Sequence, residues 1–328
     1  MTGAKKVCLP IVILAVFLPS GFSQQALKVQ SEKRSVLVNV FDANGNAIRD
    51  LTRENFHVSV NGKPTVVLAA RYSLAPRRIV LLLDMSGSIT ENTASGKWRI
   101  AREAADDLLA ETPSEAPIAM VAFSRKVSDV FDFSEGRPAI AKWLKTGPGG
   151  RPHLQSSRGT ALFDAILEGL KLLQPAQPGD AVYAITDGGD NASHASADRT
   201  ESALLQSGVR LFAFLFAEHL EVPVEQESKR FFLSMVADTG GYVSGISPRE
   251  LGGESSWLYD HVYNDDNPEK IKFFAQRLNT QVNGLWTLEL AAPPSNKASK
   301  VKLRIVGEEG KIMKDVGVNY CRVLPALR

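Results

Sequence analysis

The run Ile79-Val80-Leu81-Leu82-Leu83 is apolar at every position and ends on Asp84. A strand with one wet face alternates apolar and polar residues. One that is apolar throughout must be covered on both faces, the condition of a parallel sheet packed between helices. Further strands, apolar at nearly every position, are read at Ile118 to Phe123, Val182 to Thr186 and Val209 to Phe216, with Val130 to Phe133 as a short neighbouring strand. Helical periods lie between the runs. Ile100, Ala104 and Leu108 share a face with Ala101, Ala105 and Leu109, while Arg102, Glu103, Asp106 and Asp107 lie opposite. Leu162, Ile166, Gly169, Leu170 and Leu173 line a second helix, and Phe231 to Val236 falls in a third, closed by Gly240-Gly241. Strands alternating with helices predict an α/β domain with a doubly wound, mostly parallel, Rossmann-like sheet.

Both flanks follow a two-residue rhythm instead. Val36, Val38 and Val40 alternate, then Phe56, Val58 and Val60, and Asn61-Gly62 leads into Val66 to Ala70 as a hairpin signal. After Ile246 a Gly-, Ser- and Asn-rich connector runs to about Pro268, with a short helix near Ile271 to Leu278. Trp286, Leu288 and Leu290 follow, then Val301, Leu303 and Ile305 between Lys300, Lys302 and Arg304, then Val316 to Val323. Each β flank is close to the roughly 40 residues below which a single core rarely suffices. The flanks are therefore expected to pair into one small immunoglobulin-like β-sandwich. The expected divisions are 28–75 for the N-terminal β segment, 76–247 for the α/β domain, 248–283 for connector and helix, and 284–326 for the C-terminal β segment.

Residues 1–23 have the order of a secretory signal: Lys5 and Lys6, the apolar stretch Val7 to Leu18, then Pro19-Ser20-Gly21-Phe22-Ser23. The stretch is shorter than the roughly 20 residues that span a bilayer. Cleavage near Ser23 and a secreted or extracytoplasmic product with no transmembrane segment are expected. Loss of the two lysines takes the formal charge from +2 to zero, which leaves no electrostatic footprint for nucleic acid. Loss of Cys8 leaves Cys321 as the only thiol, so neither an internal disulfide nor a cysteine-held zinc can form.

The chemistry gathers after the apolar runs. Asp84-Met85-Ser86-Gly87-Ser88 supplies a carboxylate and two hydroxyls at alternate positions where open α/β sheets place their ligand sites. Such hard oxygen donors suit Mg²⁺, Mn²⁺ or Ca²⁺. Arg158-Gly159-Thr160-Ala161-Leu162-Phe163-Asp164-Ala165 opens a helix with Thr160 at its mouth, and Tyr183-Ala184-Ile185-Thr186-Asp187-Gly188 ends another strand on a carboxylate. Singly, these are good turn formers and helix caps. Together, and in this order, they resemble the metal-ion-dependent adhesion site (MIDAS) of the von Willebrand factor type A domain. With its β flanks, nearly the whole of the expected mature chain also resembles the bacterial secreted relatives of that domain, by pattern and not by sharp motifs.

The resemblance implies a divalent ion, Mg²⁺ first and Mn²⁺ or Ca²⁺ otherwise, contacted directly by Ser86, Ser88 and Thr160. Asp84 and Asp187 would act through bound water. An open coordination position would then accept an Asp or Glu side chain of a protein ligand, so that metal and ligand favour each other's binding. Asp190 and Asn191 are assigned to the turn, Asp164 to the start of the Thr160 helix, and Thr146 to Pro152 to a solvated loop near the ligand rim.

Enzyme readings fare worse. His57, His153, His194, His219 and His261 form no metal-ligand spacing. There is no Gly-x-Ser-x-Gly elbow, and Gly96-Lys97 is followed by Trp98 and lacks the earlier glycine of a P-loop. An aspartyl phosphatase needs a second carboxylate two residues after Asp84, where Ser86 stands. The expectation is a secreted adhesion module and not an enzyme. A Mg²⁺-dependent phosphate-ester hydrolase and an envelope scaffold with a structural metal are the alternatives.

Overall fold

The computed structural model describes residues 32–90, 96–147, 159–216, 223–246, 261–263, 268–292, 294–307 and 310–326. The expected signal segment, the rim loop from 148 onward and most of the connector lie outside them. Residues from Ser31 onward cluster as one compact unit.

In chain order, β1 (Glu32–Asp42), β2 (Phe56–Val60), β3 (Lys63–Thr65) and β4 (Val67–Leu74) precede β5 (Ile79–Asp84), α1 (Gly87–Thr90) and α2 (Lys97–Glu111). Then come β6 (Ile118–Phe123), β7 (Val127–Phe131), α3 (Gly136–Thr146), α4 (Leu162–Leu172), β8 (Ala181–Thr186), α5 (Ala197–Ser207), β9 (Arg210–Phe216) and α6 (Pro223–Asp238). The chain closes with β10 (Val243–Ile246), β11 (His261–Tyr263), α7 (Pro268–Asn283), β12 (Gly284–Ala292), β13 (Ser299–Ile305), β14 (Val316–Tyr320) and β15 (Val323–Leu324).

The central sheet has the order β11-β10-β9-β8-β5-β6-β7 and is parallel except at β7. Its double covering shows within β5. Ile79, Leu81 and Leu83 enter the core beneath α2, α3 and α7, whereas Val80 and Leu82 enter the core beneath α4 and α6. Successive side chains of a strand point to opposite faces, so only a run apolar at every position can fill two cores. The doubly wound expectation is met. The short neighbour is displaced to Val127–Phe131 and runs antiparallel at the sheet edge, with alternating half-burial.

The flanks form two four-stranded sheets, β14-β1-β12-β4 and β15-β13-β2-β3, which share one core. N- and C-terminal strands interleave: β1 pairs with both β12 and β14, and β2 pairs with β13. Trp286 sits at the centre, its ring 5.3 Å from that of Phe56 and 5.4 Å from that of Tyr72. Its indole N–H donates to the Ile48 carbonyl at 3.0 Å.

Several local expectations change. Asn61 and Gly62 do make the turn, with φ of 50° and 79°, but the partner of β2 is the three-residue β3. Residues from Val67 cross to the other sheet instead, because Val67, Ala70 and Tyr72 reach the shared core from that side. The run Val316 to Val323 divides at Cys321-Arg322 between the two sheets. The short helix extends to the sixteen residues of α7, whose Ile271, Phe274, Leu278 and Val282 cover the central sheet. Part of the expected connector, His261–Tyr263, adds a parallel edge strand to β10.

Candidate metal centre

β5 and β8 are parallel neighbours with Leu83 opposite Ile185, so their carboxyl ends open together. That register sets Asp84 beside Thr186, whose Oγ1 donates to Asp84 Oδ2 at 2.7 Å. The other carboxylate oxygen accepts the Ser86 N–H at 2.8 Å, an Asx turn that bends the chain out of β5. The Met85 N–H donates to the Phe123 carbonyl at 2.7 Å and ties the same loop to β6.

From this turn a chain of contacts crosses the edge. Ser86 Oγ lies 3.1 Å from Ser88 Oγ, and Ser88 Oγ donates to Asp187 Oδ2 at 2.5 Å. Asp187 Oδ1 accepts the Gly189 N–H at 3.1 Å, which fixes the second carboxylate. Asp84, Ser86, Asp187 and Thr160 are all buried, and Ser88 is exposed, so the centre opens to solvent at Ser88. Burial, and after it the nearby charge of Asp187, push the Asp84 carboxyl up to about 7 against the hydrogen bonds from Thr186 and Ser86.

Thr160 reaches this edge through its backbone. Its N–H donates to Asn191 Oδ1 at 2.9 Å, and its carbonyl accepts the N–H groups of Asn191 and Ala192 at 3.0 and 3.1 Å. The next residue, Ala161, donates its N–H to the Ser124 carbonyl at 2.7 Å. Thr160 is thereby stitched to the loops after β6 and β8.

Two residues assigned only to a turn therefore do more. Asn191 holds Thr160, and buried Asp190 accepts the Phe163 N–H at 2.9 Å and the Ser193 hydroxyl at 2.6 Å. Asp190 supplies the carboxylate cap for α4 that Ala161, at the N-cap position, cannot. Asp164 stands in the first turn of α4 and also accepts the N–H groups of His194 and Ala195 at 2.9 and 3.0 Å. Thr186 was legible only as the end of a strand; the β5–β8 register makes it a partner of Asp84. Contacts between residues some thirty positions apart leave no local signal.

The donor set suits a hard divalent cation. It consists of carboxylate and hydroxyl oxygens, and among the described residues no ion pair reaches Asp84 or Asp187 and no cluster of three or more His, Cys, Asp and Glu side chains occurs. Two buried carboxylates joined through hydroxyls, one of them held toward its protonated form, are a polar arrangement that a cation would relieve. Ser86, Ser88 and Thr160 would supply neutral ligands, and Asp84 and Asp187 the charge.

Residues 79–189 match the family model of the von Willebrand factor type A domain. Solved structures with a similar arrangement include the conserved hypothetical protein BatB from Bacteroides thetaiotaomicron, at 15% identity and a TM-score of 0.42 over 62% of this chain and 98% of that one. A von Willebrand factor type A protein from Catenulispora acidiphila is 14% identical, with a TM-score of 0.42 over 89% of this chain and 74% of its own. The proximal thread matrix protein 1 of the mussel byssus, solved with zinc in its MIDAS motif, is 15% identical, with a TM-score of 0.44 over 67% of this chain and 49% of its own. A comparison with curated proteins returns no match. The matched segment, which supplies strands β5 to β8 of the doubly wound sheet, identifies a von Willebrand factor type A domain at the centre of this chain, of a family whose members are commonly metal-dependent protein-interaction modules.

Proposed function

We propose that this chain is an exported, non-enzymatic binding module in which a divalent cation, Mg²⁺ first, bridges the domain to an acidic side chain of a protein ligand. The observation that carries the reading is the contact chain Asp84–Ser86–Ser88–Asp187, buried at both carboxylates and open at Ser88. Ser86 and Ser88, with Thr160, contact the ion. Asp84 and Asp187 balance its charge from one step further out, through water. Because the ligating hydroxyls are neutral, the ion keeps enough of its field to attract an outside carboxylate.

Export rests on the signal-like residues 1–23, and among the described residues no helix is long and apolar enough to cross a membrane. The phosphatase reading has less support. The position that would need its acid or base is Ser86, whose side chain is a hydroxyl that lies 3.1 Å from Ser88 Oγ and not a carboxylate.

The test is calorimetric titration with Mg²⁺ and Mn²⁺, with glutarate as a carboxylate probe. The wild-type chain should bind the ion, and bind glutarate only when the ion is present; Asp84→Ala should lose both while keeping its fold by circular dichroism. Wild-type affinity in that variant would refute the site. Unfolding of the wild-type chain on chelation would favour a structural metal instead.

A further inference from the structure

The sandwich carries a second feature that the metal centre does not use. Along β13 the side chains alternate without exception: Ser299, Val301, Leu303 and Ile305 are buried, and Lys300, Lys302 and Arg304 are exposed. At about 3.4 Å per residue the three cations form a straight row roughly 14 Å long. Across the neighbouring strand Lys302 stands opposite Ser59 and Arg304 opposite His57, and Pro64 of β3 lies opposite Ser59. These residues border a groove of about 490 Å³ on the outer surface of the sheet.

The row has no counter-charge of its own. None of the four strands of this sheet contains Asp or Glu, and no ion pair to Lys300, Lys302 or Arg304 occurs among the described residues. The sequence as a whole is nearly neutral, at +2. Three unpaired cations on one rigid strand are therefore a concentrated field, not a share of a basic surface.

The geometry points to a binding face for a linear acidic polysaccharide. A straight row on a rigid strand meets successive acidic groups of one extended polymer, and Ser59, His57 and Thr65 around it offer the hydrogen bonds that sugar hydroxyls require. Other polyanions fit less well. Single-stranded nucleic acid is held by stacking on exposed aromatic rings, and the aromatic residue here, Phe56, is 3% exposed. Docking on an anionic bilayer is strengthened by apolar side chains that insert, and the outward positions here are Lys300, Lys302, Arg304, His57, Ser59 and Pro64.

Affinity chromatography of the full chain on immobilised heparin and on immobilised polygalacturonate tests the proposal. Retention at low ionic strength, release by added salt and indifference to EDTA are expected. Indifference to chelation separates this face from the metal centre, so either site can fail alone. Lys300→Ser/Lys302→Ser/Arg304→Ser should weaken binding about tenfold or more. The charge-matched control Lys126→Ser/Lys142→Ser/Lys145→Ser, on exposed residues of the other domain, should bind as the wild type does. Equal binding by the first variant, equal loss in the control, or stronger binding of anionic vesicles or single-stranded DNA than of either polysaccharide would overturn it.

Discussion

The two ends of the central sheet each bury charge without an opposite charge beside it, and they resolve the problem in opposite ways. At the amino end, Arg210 opens β9 and is 1% exposed. Its guanidinium donates to the Gly240 carbonyl at 2.6 and 3.2 Å, to the Gln281 carbonyl at 3.0 Å and to Asn39 Oδ1 at 2.5 Å. Burial lowers its pKa to about 9, so it stays charged at neutral pH. It joins four segments: β9, the turn after α6 where Gly240 takes a φ of 78°, the end of α7, and β1 of the sandwich. The carboxyl end is different. Asp84 and Asp187 are held by hydroxyls and amides, and the hydroxyl between them, on Ser88, faces solvent. One centre is closed by its own backbone and serves the fold; the other is left open to solvent, where the proposed ion and its ligand would sit.

If that distinction is right, substitutions at the two ends should separate stability from metal affinity. The largest effect belongs to Arg210→Met. It strands two buried acceptors, the Gly240 carbonyl and Asn39 Oδ1, while the Gln281 carbonyl keeps the Asn39 amide, and it should lower the unfolding free energy by about 3 kcal/mol in urea titrations, while Mg²⁺ affinity in the folded protein is unchanged. Asp187→Ala should do the reverse: divalent affinity falls about a hundredfold by calorimetry, and the chelated protein melts no lower than wild type because one of two mutually repelling carboxylates is gone.

The pH dependence is a subtler probe. With the Asp84 carboxyl at about 7 in the folded protein and near 3.8 unfolded, the native state holds its proton more tightly. That contribution to stability is complete below the unfolded value and is lost as pH rises through about 7. Chelated wild-type protein should therefore melt higher at pH 5 than at pH 8, and saturating Mg²⁺ should flatten or invert the trend; identical slopes with and without metal would erase the contrast between the two ends. The smallest effect is Asn191→Ala, which frees the Thr160 N–H. It should cost about 1 kcal/mol of stability and weaken Mg²⁺ several-fold.

Sequence patterning revealed the open end better than the closed one. Asp84, Ser86 and Ser88 sit within five residues after an unmistakable buried strand, and Asp187 ends a second such strand. Strand runs, helix faces and the turn at Asn61-Gly62 were legible because each is a local period. Arg210 was not. It lies unremarked inside the run Val209 to Phe216, and its partners Asn39, Gly240 and Gln281 are distant in sequence, so only the assembled fold reveals it. The same holds for Asn191 and Asp190, whose side chains serve the helix that begins about thirty residues earlier. The crossing of β4 between sheets escaped for a related reason. Alternation shows which face of a strand is apolar, not which sheet supplies the other half of the core.

The decisive measurement is a crystal structure of the chain grown with Mn²⁺, located by its anomalous scattering. A single ion about 2.1 Å from both Ser86 Oγ and Ser88 Oγ, with Thr160 facing it and Asp84 and Asp187 one water away, is the predicted result. Crystals in saturating Mn²⁺ that show no peak at this edge, or a peak held elsewhere by unrelated carboxylates, would contradict the account.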